Sequence, residues 1–501
     1  MRLRFLAPAA ALSLAALVPA SEARACGGCF GPPVIQQSGA TVVTGHRMAL
    51  TTSPTQSVLW DQIQYAGDPK EFAWVLPVHH GAVIEESTDA WFETLEAATV
   101  AQVTSPQYVC PSVTSPQGCG ASFAGAAFDE GSAGTGGDGG PPPVTVLHEG
   151  TVGPYETVTL ATDTPGALNA WLTSHGYNID SDIQPVIDAY VAEDFDFIAL
   201  RLLPNKGIRT MKPVRVVTPG AAMSLPLRMV AAGTGSNVAI TLYTITEGRL
   251  EADQYSNIVF PQSQLIWDFK ASSSNYATLR GQLLQKDAGR TWLTAFAAQG
   301  ALLSPSYSGS YYNGGFGGDY YGGSIATTYV QQGQSNGETT DSSCTNAFDQ
   351  IADSTDLVVD ACPPGVMPND PSCGQLAPGQ IDARTLACGP LDDIAVALTG
   401  LHPRDVWLTR LEANLPRAAL AKDLSLTPSA SQDPVSNYML APTGINEDGL
   451  CPAQVPPLSM IAPGYGKAAG SGRGVDRRAA FGYAVMGLLM AGAVVRRRRR
   501  R

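Results

Sequence analysis

The chain has 501 residues, with 31 Lys and Arg against 44 Asp and Glu, and its formal net charge is −13. Charged residues make up 15% and hydrophobic ones 44%, against about 25% charged in an average soluble domain. The negative sign disfavours a nucleic-acid binder, whose surface must oppose phosphate. Normal hydrophobic content excludes full disorder, and the interior lacks the apolar runs of a polytopic membrane protein.

Residues 1–25 read as a secretory signal peptide. Arg2 and Arg4 open it, Phe5 to Val18 is an apolar run too short to span, and Ala23-Arg24-Ala25 fits cleavage before Cys26. Lipidation of Cys26 is the alternative, but Ala23 and Arg24 do not make a good lipobox.

Residues 26–119 are the first part of an ectodomain. Thr41 to Thr44, Ser57 to Tyr65 and Glu71 to Val78 predict strands. Ser87/Thr88 caps a helix carrying Trp91, Phe92, Leu95 and Ala98. Residues 120–143 are a Gly/Pro-rich linker.

Residues 144–303 are the main part. Val158 to Leu160 predicts a strand. A helix capped by Asp163/Thr164 carries Leu168, Trp171 and Leu172, with Pro165 in its first turn and Gly176 past its end. A helix near Pro185 to Ala192 follows, then a strand over Phe195 to Leu203. Val214 to Val217, Leu225 to Ala231, Val238 to Thr246 and Ile258 to Phe260 predict strands, with Ala232 to Asn237 as a hairpin loop. Tyr276 to Lys286 reads as helix and Thr291 to Phe296 as strand.

Residues 304–390 read as an insertion, first Gly/Tyr-rich and then Cys-rich. Order returns over 391–428, with a helix capped by Asp392/Asp393 and a strand from Val406 to Leu411. Residues 429–478 read as a Pro/Gly-rich stalk. Ala479 to Val495 is an uncharged run of 17 residues, a transmembrane helix at the short end of spanning length. Residues 496–501, Arg496 to Arg501, act as a stop-transfer tail that stays cytoplasmic. Without the signal and these six arginines, 22 basic and 43 acidic side chains remain, so the exported body carries −21. The fold class predicted is α+β, with largely antiparallel mixed sheets and a few packed helices.

Nine cysteines in a secreted chain are free to oxidise. The probable disulfide cysteines are Cys26, Cys29, Cys110, Cys119, Cys344, Cys362, Cys373 and Cys388, leaving Cys451 over. Cys26–Cys29 and Cys110–Cys119 are plausible local pairs, and the connectivity of the other four is open. Cys26-Gly27-Gly28-Cys29 also suits a redox couple or half a zinc site. Yet Phe30-Gly31-Pro32-Pro33 prevents the helix start that would lower a thiol pKa, and no second ligand pair completes a zinc set.

His79-His80 ends a strand. Adjacent strand residues face opposite ways, so solvated turn histidines are the simpler reading than a ligand pair. His175 suits a helix C-terminus. Glu85-Glu86 and Asp392-Asp393 read as turn or helix-start carboxylates. No G-x-S-x-G, H-E-x-x-H, P-loop or dinucleotide fingerprint occurs, and Ala232-Gly233-Thr234-Gly235 has strands on both sides. No catalytic, cofactor-binding or metal-ligating residue is assigned, and no cofactor is expected.

At Ala25 to Phe30, Tyr65-Ala66-Gly67-Asp68 and Phe72 to Val78, the chain resembles a secreted bacterial family known as domain of unknown function 2330. Further matching pieces are Gly153-Pro154-Tyr155, Ala170-Trp171-Leu172, Pro226 to Met229 and Trp407 to Leu411. The resemblance implies an exported protein of the type frequent in myxobacteria, with no site residues to carry over. The tail resembles the C-terminal sorting tails of Gram-negative surface proteins, though no Cys follows Cys451.

The expectation is an exported, membrane-anchored cell-envelope protein, structural or binding, held by its C-terminal helix. Its partner would be an envelope protein or polysaccharide, not nucleic acid. The alternatives are an extracytoplasmic hydrolase-like enzyme, which a His–Asp pair near Trp74 and His79 would support, or a redox or metal-handling protein using Cys26 and Cys29.

Overall fold

A computed structural model describes residues 29–30, 42–66, 73–106, 144–175, 183–203, 211–231, 236–303, 307–312, 315–321, 324–341, 358–359, 371, 381–382, 386–403, 405–446 and 449–451. The leading elements in the first half are β1 (Val42–Thr52), β2 (Gln56–Ala66), β3 (Ala73–Val78), β4 (Val83–Glu86), α1 (Asp89–Thr99), β5 (Thr145–Val152), β6 (Tyr155–Ala161), α2 (Ala167–Ser174), α3 (Gln184–Ala192), β7 (Asp196–Leu202) and β8 (Val214–Pro219). They continue with α4 (Leu227–Ala231), β9 (Asn237–Glu247), β10 (Ser256–Val259), α5 (Tyr276–Leu284), β11 (Thr291–Gln299), α6 (Ile325–Ser335), α7 (Asp393–Leu398) and β12 (Val406–Pro416).

Eight strands form a mixed sheet in the order β10-β11-β12-β9-β1-β2-β8-β4. Only β9·β1 and β10·β11 pair in parallel there. A five-stranded antiparallel sheet runs Cys29–Phe30, β3, β7, β6, β5. The class is therefore α+β, as the sequence predicts.

The alternation of each strand decides what it covers. Odd and even positions leave a strand on opposite faces. Val58 and Trp60 of β2 join Tyr243, Phe296 and Leu408 under helices α1, α6 and α7, where Trp91, Phe92, Tyr329 and Leu398 are buried. Met48, Leu50, Leu242 and Leu411 face the other way, beneath Leu227, Leu424 and Leu426. On that second face Ile63, Val214 and Val216 meet Trp74, Leu76, Ile198 and Leu200 of the smaller sheet. Helices α2 and α3 cover the smaller sheet's outer face through Trp171, Leu172 and Ile187.

Four expectations change. Of Leu225 to Ala231 only Leu225 is in a strand, paired with Leu424: Pro226 cannot donate to a ladder, and α4 starts directly after it. The segment expected as a hairpin loop at 232–237 therefore follows a helix rather than a strand, and its residues 232–235 lie outside the described residues. The span 304–390 contributes to the core, because Ile325, Ala326, Tyr329 and Val330 of α6 are buried. The stretch from Ser429, expected to begin a stalk, is folded as far as 446, with Val435, Asn437, Met439 and Ala441 buried. Asn437 donates to the carbonyls of Ala98 and Val100 at the end of α1, which fixes this segment to the body.

Among the described residues no helix is long and apolar enough to cross a membrane. The signal at 1–25, the linker at 120–143, Ala479, Val495 and Arg496 lie outside the described residues. So do Cys26, Cys110, Cys119, Cys344, Cys362 and Cys373, whereas Cys29 lies in the strand facing Trp74. Cys388 is buried and disulfide-bonded.

Candidate functional site

Charged side chains in the interior mark two places. The first lies under α7. Strand register sets Trp60, Arg215 and Glu85 side by side across β2, β8 and β4. The first residue of α7, Asp393, sits over this row with no exposure to solvent. It accepts hydrogen bonds from Trp60 Nε1 at 2.8 Å, Ser87 Oγ at 2.9 Å, Thr88 Oγ1 at 2.9 Å, Tyr329 OH at 2.7 Å and Arg215 at 3.0 Å. Arg215 also holds Asp392 through both terminal nitrogens and Glu85 through Nε. Burial opposes the Arg215 charge, but its bonds to Asp392 and the charges of Asp393 and Glu85 hold its pKa well above the ordinary arginine value.

This arrangement displaces the predicted caps. Thr88 is the N-cap residue of α1, yet its hydroxyl serves Asp393 rather than the helix. Glu338 caps α1 instead, accepting from the backbone N–H of Asp89 and Ala90. Lys212 joins Glu338 to Asp89. Likewise Asp392 makes no side-chain cap bond to α7. Both groups are drawn into a cluster that ties five distant segments together, and the charges there are spent on architecture.

The second place is a recess between the two sheets, of about 60 Å³, lined by Leu59, Leu76, His79, Phe195, Val216 and Asp423 among others. His79 packs its ring on Phe195, with centroids 4.4 Å apart. Beside it His80 is held between two carboxylates: Nδ1 lies 2.8 Å from Asp196 and Nε2 lies 3.2 Å from Asp194. The bonds to Asp196 and then Asp194 raise its pKa above the usual histidine value. At the opposite rim Asp423 accepts from Tyr190 OH at 2.5 Å and from Arg228 Nε at 3.0 Å, and Arg228 forks onto Glu193. Arg228 also lies over the Tyr190 ring at 4.1 Å.

The expected histidine roles divide. His80 is the exposed turn residue expected, and it also pairs with Asp196 and Asp194; His79, exposed too, contributes a ring to the recess. His175 ends α2 as expected, stacked on Trp171 at 3.7 Å with Nδ1 2.7 Å from that residue's carbonyl. His46, not singled out in the sequence, is buried in β1 with Nδ1 3.1 Å from Asp61. No group of His, Cys, Asp and Glu suited to a metal ion occurs among the described residues. Ala232 to Gly235 lies outside the described residues.

No sequence pattern announces the Asp393 cluster, because its members come from five separate segments. The only local hint is the Asp-Asp pair at the start of an apolar helix.

Fold and clusters together define an α+β protein of two packed sheets whose interior charges cross-link remote segments. The chain belongs to a family of uncharacterized proteins conserved in bacteria, domain of unknown function 2330, whose model matches residues 20–301. The match ends before the resembling piece at Trp407 to Leu411, although β12 is an inner strand of the larger sheet. No curated protein and no solved structure matches the chain.

Proposed function

We propose that this is an exported, membrane-anchored envelope protein whose folded body is a structural or binding module. The observation that carries the reading is the size of the recess. Its roughly 60 Å³ compares with about 300–1,000 Å³ for pockets that enclose small-molecule ligands. Such a space takes a side chain or a single substituent of a larger partner, an envelope protein or a polysaccharide, rather than a whole substrate. Charge supports it too, since the groups that could do acid–base work under α7 are engaged in holding the fold. The signal-like start, the disulfide at Cys388 and the arginine-terminated apolar run support the address.

A second reading, a hydrolase, is favoured by the His80–Asp196 pair beside His79. A catalytic base needs one imidazole nitrogen free for the substrate proton. Here both nitrogens of His80 face carboxylates, which suits a clamp on the rim of the recess better than a base.

Fractionation tests the anchor. The full chain is expected in the membrane fraction, and a chain lacking residues 479–501 in the soluble exported fraction. Membrane retention of the shortened chain, with Cys26 replaced by Ser to remove any lipid, sinks the reading. Tight turnover of a small ester or glycoside by the purified protein, lost in His80→Ala, establishes the second reading instead.

A further inference from the structure

Three arginines are buried in the described body: Arg215, Arg249 and Arg410, each 4–5% exposed. Arg215 bonds three carboxylates, and Arg410 bonds Glu96 at 2.9 Å and Glu412 at 2.8 Å. Arg249 has no such partner among the described residues. Its terminal nitrogens reach only neutral oxygens, the Asp433 carbonyl at 3.1 Å and Thr294 Oγ1 at 3.3 Å, and its Nε–H meets nothing. The neighbouring carboxylates, Glu251 and Asp433, act through space without bonding it, and burial pulls its pKa below the ordinary arginine value. A buried cation without an anion is costly.

The sheet beneath supplies further unmet donors. Thr244 of β9 and Thr409 of β12 stand directly opposite each other in register. Both are fully buried, and neither hydroxyl has a partner. They share the face of Leu242 and Leu411, and Thr294 lies on it opposite Leu411. Arg249, bonded to Thr294, therefore closes over the same patch that the two unpaired hydroxyls occupy. Natural interiors rarely leave such groups empty-handed, and three together require an acceptor.

We propose that Arg249, Thr244 and Thr409 form an internal site for one small monovalent anion of the halide class. The Nε–H and the two hydroxyls donate to it, and its charge completes the one buried arginine that has no carboxylate partner among the described residues. A larger oxyanion is disfavoured because the site lies under the cover made by residues 248–252 and 424–435, with Val435, Trp407 and Ala297 packed beside it.

The test is thermal unfolding of the full chain at constant ionic strength, with chloride or bromide exchanged for gluconate. Saturable halide binding raises the Tm, by roughly 2 °C or more at tenfold excess over Kd. Arg249→Met is expected to abolish the response and Thr409→Val to weaken halide affinity at least threefold. If Arg249→Met does not fold, Thr409→Val alone decides, since it changes shape little. A Tm indifferent to halide, or a halide response unchanged in Thr409→Val, overturns the proposal, the site then holding water.

Discussion

A carboxylate withdrawn from water survives as a charge only if its oxygens are met by donors, and Asp393 is met by five groups. Removing one partner leaves the others stranded. Arg215→Met leaves Asp393 and Asp392 uncompensated and is expected to cost about 3–5 kcal/mol in urea unfolding. Asp393→Asn, which keeps the volume but offers an NH₂ to groups that are already donors, should be of similar size. A loss below about 1 kcal/mol in both would show that the cluster is not a keystone. His80 gives a second expectation. Its folded pKa is raised, so its contribution to stability is complete below about 6.5, the ordinary histidine value, and fades as pH rises through the folded value. An NMR titration should find His80 above that reference, and Asp196→Asn should bring it back down. Neither feature is readable from neighbours in sequence. Asp392-Asp393 has the pattern of a helix start, and nothing near it announces Arg215, which lies 178 residues earlier. His79-His80 reads correctly as the end of a strand, but its carboxylates arrive with the turn before β7 and with that strand's first residue, Asp196.

Elements defined by local chemistry are where the sequence is most legible. The β-branched runs of β2 and β9 and the apolar stripes of α1 and α2 appear where their periodicity places them, whereas β1 runs on from the expected Thr44 to Thr52. What local chemistry cannot show is the cap that comes from elsewhere. Ser87/Thr88 marks the start of α1, but the free N–H groups of that helix are served by Glu338, from just beyond α6. Anions are favoured at helix N-termini, both by the dipole and by the unpaired N–H groups. Burial works against the Glu338 charge, yet the bonds to Lys212 and to the Asp89 and Ala90 N–H hold its pKa below the usual carboxylate value. The stability it lends is therefore present above about pH 4.5 and lost as pH falls through its folded pKa. Glu338→Gln is expected to cost about 1–2 kcal/mol at pH 7. It should also flatten the acid side of the Tm–pH curve. An unchanged acid limb would remove Glu338 from the account.

At the scale of the whole molecule, composition misreads the segment that follows residue 428. Pro and Gly enrichment after Ser429 resembles a stalk, yet Val435, Met439 and Ala441 are buried because the end of α1 and the edge of β11 are there to receive them. The family match stops at residue 301, and the sheet does not. Strand β12 pairs with β9 through Asn237↔Pro416 to Glu247↔Val406 and with β11 on its other side. A chain cut after 301 loses an inner strand and exposes two unpaired edges. It is expected to be insoluble or molten, whereas a chain ending at 446 should unfold in one cooperative urea transition. A soluble, cooperatively folded product ending at 301 would show that the matched region is self-sufficient.

The late arrival of β12 also sets a timetable. The larger sheet cannot close until residue 416 has been delivered, so for most of its synthesis the chain carries an open gap between β9 and β11. Pairings of such high sequence separation form slowly and leave apolar edges exposed meanwhile. In the exported chain proposed above, which would cross a membrane as an unfolded thread, this delay would keep a compact core from forming too early to pass. Until β12 arrives, the unpaired edges of β9 and β11 are the chain's main aggregation hazard.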